Sequence, residues 1–293
     1  MRISGEIYIM IIYDLEWINK NFPELDQVKT LTSGGQKEVF KGYHKKYGDV
    51  VLKIIKPSED EYERTIREIK AAEIIESDHV PKIFKSNLSE AKPVPIWLLE
   101  QYIPGKTLRQ FLHEGKKFSL AEIVKFLDTL LKISIEAEKK KIVHRDIKPE
   151  NIILDNIGRY WLIDFGIARH LELSSLTSTN RDFGLFTVGY AAPEQFRNIK
   201  KEISIRADLF SIGIVAVELI TGKNPFIEKA RNALDVLRNT ETFVLPILTL
   251  EGDPQYELAA FIKVLGDKRL SRRPSSAKEA YGILESVKLT LLI

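Results

Sequence analysis

Cysteine is absent from the 293 residues, which excludes disulfides, thiolate metal sites and cysteine nucleophiles. A reducing compartment fits that absence. Long apolar runs are missing too: the longest, at 7–13 and 212–220, fall far short of the roughly 20 residues that span a bilayer. An excess of one charge is also lacking. With 44 basic and 41 acidic side chains the net charge is +3, which gives no warrant for a nucleic-acid or membrane-surface role. There is no repeat or low-complexity segment. The first residues carry Arg2 and Glu6 around a short apolar stretch without a small-residue cleavage pattern, so a soluble, cytoplasmic protein is the expectation. What is present, 44% hydrophobic and 29% charged residues, suffices for a substantial core.

The pattern changes character about a third of the way along. Residues 39–43 and 49–55 are β-branched runs flanking a turn at 45–48, which predicts adjacent antiparallel strands. A helix is predicted over 59–75, with Ile66, Ile69, Ala72 and Ile74 as its inward face and Asp78 with Pro81 at its exit. Residues 96–102 read as a buried strand. Beyond Pro104 and Gly105 the signals turn helical. Over 120–139 the residues Ile123, Phe126, Leu127, Leu130, Leu131 and Ile135 fall on one face, and 212–220 is apolar all round, as in a helix at the centre of a lobe.

Two stretches carry chemistry. The run H-R-D-I-K-P-E-N over 144–151 resembles the catalytic loop of the protein kinases, and Asp164-Phe165-Gly166 follows after a hairpin predicted at 152–154 and 160–163. Taken singly these residues are ordinary loop polars; in this order and spacing they are hard to attribute to chance. The resemblance implies Asp146 as the base that takes the acceptor's proton and Lys148 as a contact to the transferred phosphate. It implies Asn151 and Asp164 as the metal ligands.

Other positions follow from the same resemblance. Lys53 closes a strand where the family holds the α- and β-phosphates, with Glu68 preferred over Glu63 and Glu73 as its carboxylate partner. The loop from Leu31 to Val39 departs from the family's glycine pattern. Thr32 and Lys37 stand at the first and third glycine positions, Gly34 matches, and Gly35 supplies some of the missing freedom. Glu100 or, in another register, Leu99 guards the back of a nucleotide pocket at the Tyr102 hinge, with Val39, Val51 and Ile153 sandwiching the adenine. Asp208 is implied to bond the catalytic-loop backbone, and Arg273, with Arg272 as alternative, to pair with Glu194. Ala192-Pro193-Glu194 ends an activation segment whose hydroxyls, Ser174, Ser175, Thr177, Ser178 and Thr179, are candidate phosphate acceptors near Arg145 and Arg169. A solvated flexible loop is the plain alternative there.

The implied fold is α+β and two-lobed: residues 1–24 an extension of unread role, 25–102 a mainly β lobe with one key helix, 103–293 a mainly α lobe. The implied activity is transfer of the γ-phosphate of ATP, with Mg²⁺ or in its place Mn²⁺, to serine or threonine hydroxyls. Lys148 and Thr187 carry the serine/threonine reading. Partners would be protein substrates and a second copy during autophosphorylation, with no nucleic acid and no membrane span. Two rivals remain at this level. The altered glycine loop suits a pseudokinase or scaffold with weak turnover, and a small-molecule kinase has the same scaffold.

Overall fold

The computed structural model describes residues 13–33, 37–56, 62–88, 95–165, 189–197 and 203–293, with the side chains of 33, 63, 64, 67, 68, 71 and 72 outside that description. In chain order the described elements are α1 (Leu15–Asn21), β1 (Leu25–Ser33), β2 (Lys37–His44), β3 (Gly48–Ile55), α2 (Tyr62–Glu73), β4 (Ile83–Ser86) and β5 (Ile96–Gln101). They continue with β6 (Gly105–Thr107), α3 (Leu108–His113), α4 (Leu120–Lys139), β7 (Ile152–Asp155), β8 (Tyr160–Leu162) and α5 (Pro193–Phe196). The remaining helices are α6 (Ile205–Thr221), α7 (Ala233–Thr242), α8 (Glu257–Leu265) and α9 (Ala277–Lys288). Residues 1–60 with 82–102 form one compact unit, and 61–81 with 103–293 form a second, so α2 clusters with the second.

The first unit is a five-stranded antiparallel sheet in the order β1-β2-β3-β5-β4. Strand alternation gives it two chemically different faces. Phe40, Val50, Leu52, Ile54 and Leu99 point to one side, where Ile18 and Phe22 of the α1 segment join them in a single apolar cluster. The helix begins at Asp14, whose carboxylate accepts from the N–H of Trp17 at 2.8 Å, and ends on Phe22, which meets Trp97 edge to face. The other face carries Val39, Val51, Lys53, Leu98 and Glu100.

In the second unit α4 spans the predicted residues. Ser119 caps it, accepting from the N–H of Glu122 at 3.3 Å while Glu122 accepts from the N–H of Ser119 at 2.8 Å. Its apolar face packs on α6 and α9. Helix α6 is mainly apolar because it lies inside the core: from Ala207 to Leu219 all its residues are buried, the polar Asp208, Ser211 and Glu218 among them each holding hydrogen-bond partners. It ends at Gly222, whose left-handed φ of 77° suits a residue without a Cβ. One expectation fails on α2. Ile69 is fully buried, but Ile74 lies just past the helix end and is 50% exposed, because helical periodicity stops applying where the helix stops. Among the described residues no helix is long and apolar enough to cross a membrane.

Candidate active site

The loop at 144–151, which resembles a catalytic loop in sequence, runs between α4 and β7 and is held by a buried carboxylate. Asp208, in the first turn of α6, is 1% exposed and accepts from the backbone N–H groups of His144 at 2.7 Å and Arg145 at 2.8 Å. Burial pushes its carboxyl above the usual range, against the lowering effect of His144, Arg145 and the two N–H bonds. Arg145 itself sits at a left-handed φ of 69°, a conformation a side chain normally avoids. Its carbonyl accepts from Gln195 at 3.0 Å. His144 Nε2 lies 3.0 Å from the carbonyl of Ile163, and its ring meets Phe165 edge on at 4.6 Å.

On that frame three sequence-predicted residues come together. Asn151 Nδ2 donates to Asp146 Oδ2 at 2.6 Å and to the Asp146 carbonyl at 2.9 Å, and Lys148 Nζ lies 2.9 Å from the same Oδ2. Asp146 and Asn151 are each 6% exposed. Because Nδ2 of Asn151 is committed to Asp146, the amide oxygen faces the opposite way. The carbonyl of Asn151 accepts from Ile163 at 2.9 Å, which ties the loop to the strand leading into Asp164. Asp164 also has left-handed backbone, with φ of 63°. The hairpin β7–β8 that separates the two motifs pairs Ile152 with Leu162 and Ile153 with Trp161.

In the first unit Lys53 is 3% exposed and ion-paired with Glu100, itself 8% exposed. Lys53 stands opposite Leu98 and Glu100 opposite Val51, so the pair is diagonal across β3 and β5 on one face of the sheet. Sequence reasoning gave Glu100 a guarding role and missed this pairing; strand alternation was the signal that could have shown it. Glu68 lies on α2 with its side chain outside the description. Val39 and Val51 are buried on the Lys53 face, Leu31 and Thr32 are exposed on β1, and Ile153 on β7 is half-buried. The N–H of Tyr102 donates to the carbonyl of Asp49 at 3.3 Å, and Lys41 lies over its ring at 3.9 Å. Gly34, Gly35, Gly166, Arg169, Ser174, Ser175, Thr177, Ser178, Thr179 and Thr187 fall outside the described residues.

Behind the loop, Arg273 forms a two-pronged pair with Glu194, at 2.8 and 2.7 Å, and both are at most 3% exposed. The neighbouring Arg272 faces Asp267 at 3.9 Å instead. Sequence reasoning also passed over Arg109, Tyr190 and Glu218, which form a polar cluster, buried at Tyr190 and Glu218, with Glu150 of the 144–151 loop. No motif carries Arg109, and only the folded chain brings these four together.

The oxygen donors near the loop, the amide of Asn151 and the carboxylate of Asp164, fit a hard cation such as Mg²⁺, which binds one or two protein oxygens and completes its shell with phosphate and water. The model of the protein kinase domain matches residues 25–283. The probable serine/threonine-protein kinase pknA2 of Bifidobacterium longum is 28% identical over 261 residues, covering 86% of this chain and 33% of its own length. The probable serine/threonine-protein kinase PknB of Lactococcus lactis is 29% identical over 256 residues, covering 86% of this chain and 40% of its own. Serine/threonine-protein kinase PrkC of Bacillus subtilis is 30% identical over 182 residues, covering 61% and 27%. The chain therefore spans well under half the length of these relatives. A match of that extent, over a five-stranded sheet unit and a helical unit, makes the chain a member of the protein kinase family.

Proposed function

We propose that this chain transfers the γ-phosphate of ATP to serine and threonine hydroxyls of proteins, its own included, with residues 25–102 and 103–293 acting as the two lobes of one catalytic domain. The observation that carries the reading is the arrangement on Asp146. Asn151 and Lys148 both hold Oδ2, and Asp208 holds the loop from behind. We assign Oδ1 of Asp146 to the acceptor's proton, so that the hydroxyl attacks as its proton leaves. Lys148, beside that carboxylate, is placed to face the charge of the phosphoryl group in flight. Asn151 and Asp164 are the residues that would hold Mg²⁺, which when bound offsets phosphate charge. Lys53, kept in place by carboxylate, orients the α- and β-phosphates, with Leu31, Thr32, Gly34, Gly35, Val39, Val51, Glu100, Tyr102 and Ile153 contacting the nucleotide. Thr177, Ser178 and Thr179 are the proposed sites of self-modification, by a second copy. The cytoplasm, where ATP is supplied, is the proposed location.

The test is incubation of purified protein with labelled ATP and Mg²⁺, alone and with casein, beside Asp146→Asn. Loss of the general base should lower turnover by roughly 10²- to 10⁴-fold. Transfer that survives the substitution undiminished would remove Asp146 from the mechanism. Intact-mass and peptide analysis locates any phosphate added to the chain itself.

A further inference from the structure

Arg109 lies on α3, away from every motif of the catalytic loop, yet its guanidinium reaches three distant stretches of chain. Nε donates to Glu150 Oε1 at 2.7 Å, Nη1 donates to Glu218 Oε1 at 2.8 Å, and Nη2 donates to the Tyr190 hydroxyl. That hydroxyl in turn donates to Glu218 Oε2. Glu150 stands next to Asn151 in the catalytic loop. Tyr190 stands two residues before Ala192, which opens the Ala-Pro-Glu run, and Glu218 lies on the buried helix α6.

Burial weighs against charge on Arg109, and Tyr190, Glu218 and Glu150 more than offset it, so the guanidinium stays protonated. Burial likewise raises the Tyr190 phenol well above its usual range, which keeps it a neutral donor. Tyr190 is held from a second side: its carbonyl accepts from Ser211 of α6 at 2.8 Å, and the carbonyl of Gly189 accepts from Asn224 at 3.1 Å. The 189–190 stretch is thus fixed to α6 without Arg109. What Arg109 adds is the connection from that stretch to Glu150. A lysine could not replace it, since one ammonium cannot serve three acceptors lying in a plane.

We infer that Arg109 is a positioning residue that fixes the Glu150 turn of the catalytic loop relative to the Tyr190 stretch, and so sets where a protein acceptor sits with respect to Asp146. The kinetic part rests on the kinase reading proposed above; the mechanical part does not. In the full chain, Arg109→Gln should speed amide exchange at residues 146–151 by about 10-fold or more, because the loop loses one of its anchors. Residues 205–221 should exchange as in the parent protein. With casein and ATP as substrates, the KM for casein should rise about 10-fold while the KM for ATP stays within about 2-fold, a split that general loosening does not produce. Arg109→Lys should restore little of either. Glu150→Ala, at a side chain one-third exposed, removes only the acceptor on the loop and should reproduce the change at 146–151. Unchanged exchange at 146–151 in both variants overturns the inference, as does a parallel rise in both KM values. A parent protein that transfers no phosphate would sink the kinase reading, and the exchange measurement would still decide whether Arg109 anchors the loop.

Discussion

Single residues in this protein are held by unusually specific partners, and the cost of losing one depends on what remains buried. Arg273 has no exposed side-chain surface; it pairs with Glu194, donates to the carbonyl of Arg206 at 2.6 Å and lies 5.3 Å from the Phe210 ring. Glu194→Gln keeps the shape but strands that guanidinium, so we expect a loss of about 3–5 kcal/mol in urea denaturation. Asp155 behaves differently because its partners favour the charged form. Burial alone would raise its carboxyl, yet the N–H of Arg159, the indole of Trp161, the Arg159 guanidinium and the N–H of Ile157 hold it below the ordinary 3.8. A depressed folded value means that the carboxylate stabilises the fold above pH 3.8 and loses that contribution as the pH falls through the lower value. Asp155→Asn should therefore cost about 1–3 kcal/mol near neutrality. The gap between variant and parent should narrow in acid, and a gap that is flat or widening below the aspartate range counts against this account.

Elements differ in how openly the sequence announces them. Helix α4 was legible to the residue from the six apolar side chains on one face, and the reciprocal cap of Ser119 and Glu122, which the sequence reading passed over, fixes its start. The hairpin β7–β8 was nearly as plain from its turn residues, whereas for α6 the run at 212–220, broken only by Glu218, marked the second half and the polar Arg206 and Asp208 hid its start. Ile74 was misread because pattern alone does not show where α2 stops. The Lys53–Glu100 pair was missed because partners across a sheet are set by register, which the linear motif does not state. Helix α6 also carries a constraint that no pattern reveals. A Cβ added at Gly213 would lie 2.7 Å from the backbone nitrogen of Gly266 and 2.9 Å from Leu265 Cβ. Alanine would gain about 1 kcal/mol of helix propensity. The clash with α8 outweighs that, and we expect Gly213→Ala to lower stability by about 1–3 kcal/mol overall. A melting temperature at or above that of the parent would show that α6 and α8 part easily.

At the scale of the whole molecule, the family match begins at Leu25 and leaves α1 outside it, while the folded chain counts α1 among its core elements. Its start was written in the sequence as Asp14 ahead of Leu15, Ile18 and Phe22 at helical spacing, but seven residues are too few for periodicity to stand out. Ile18 has no exposed surface, so Ile18→Ala should cost about 2–5 kcal/mol, read by calorimetry on the full chain. Removing residues 1–24 should cost more, because Tyr13 and Phe22 leave with it. An unchanged calorimetric transition would show the helix to be dispensable. Kinship between sequences is scored position by position and ends where relatives stop agreeing, whereas a folded body ends where its apolar interior is closed against water. Among the described residues the folded body reaches at least one helix beyond the family match. Laboratory protein trimmed to the edge of kinship would open the sheet bearing Lys53 from behind, and a slow phosphotransfer rate measured on it would report a leaking core rather than a weak enzyme.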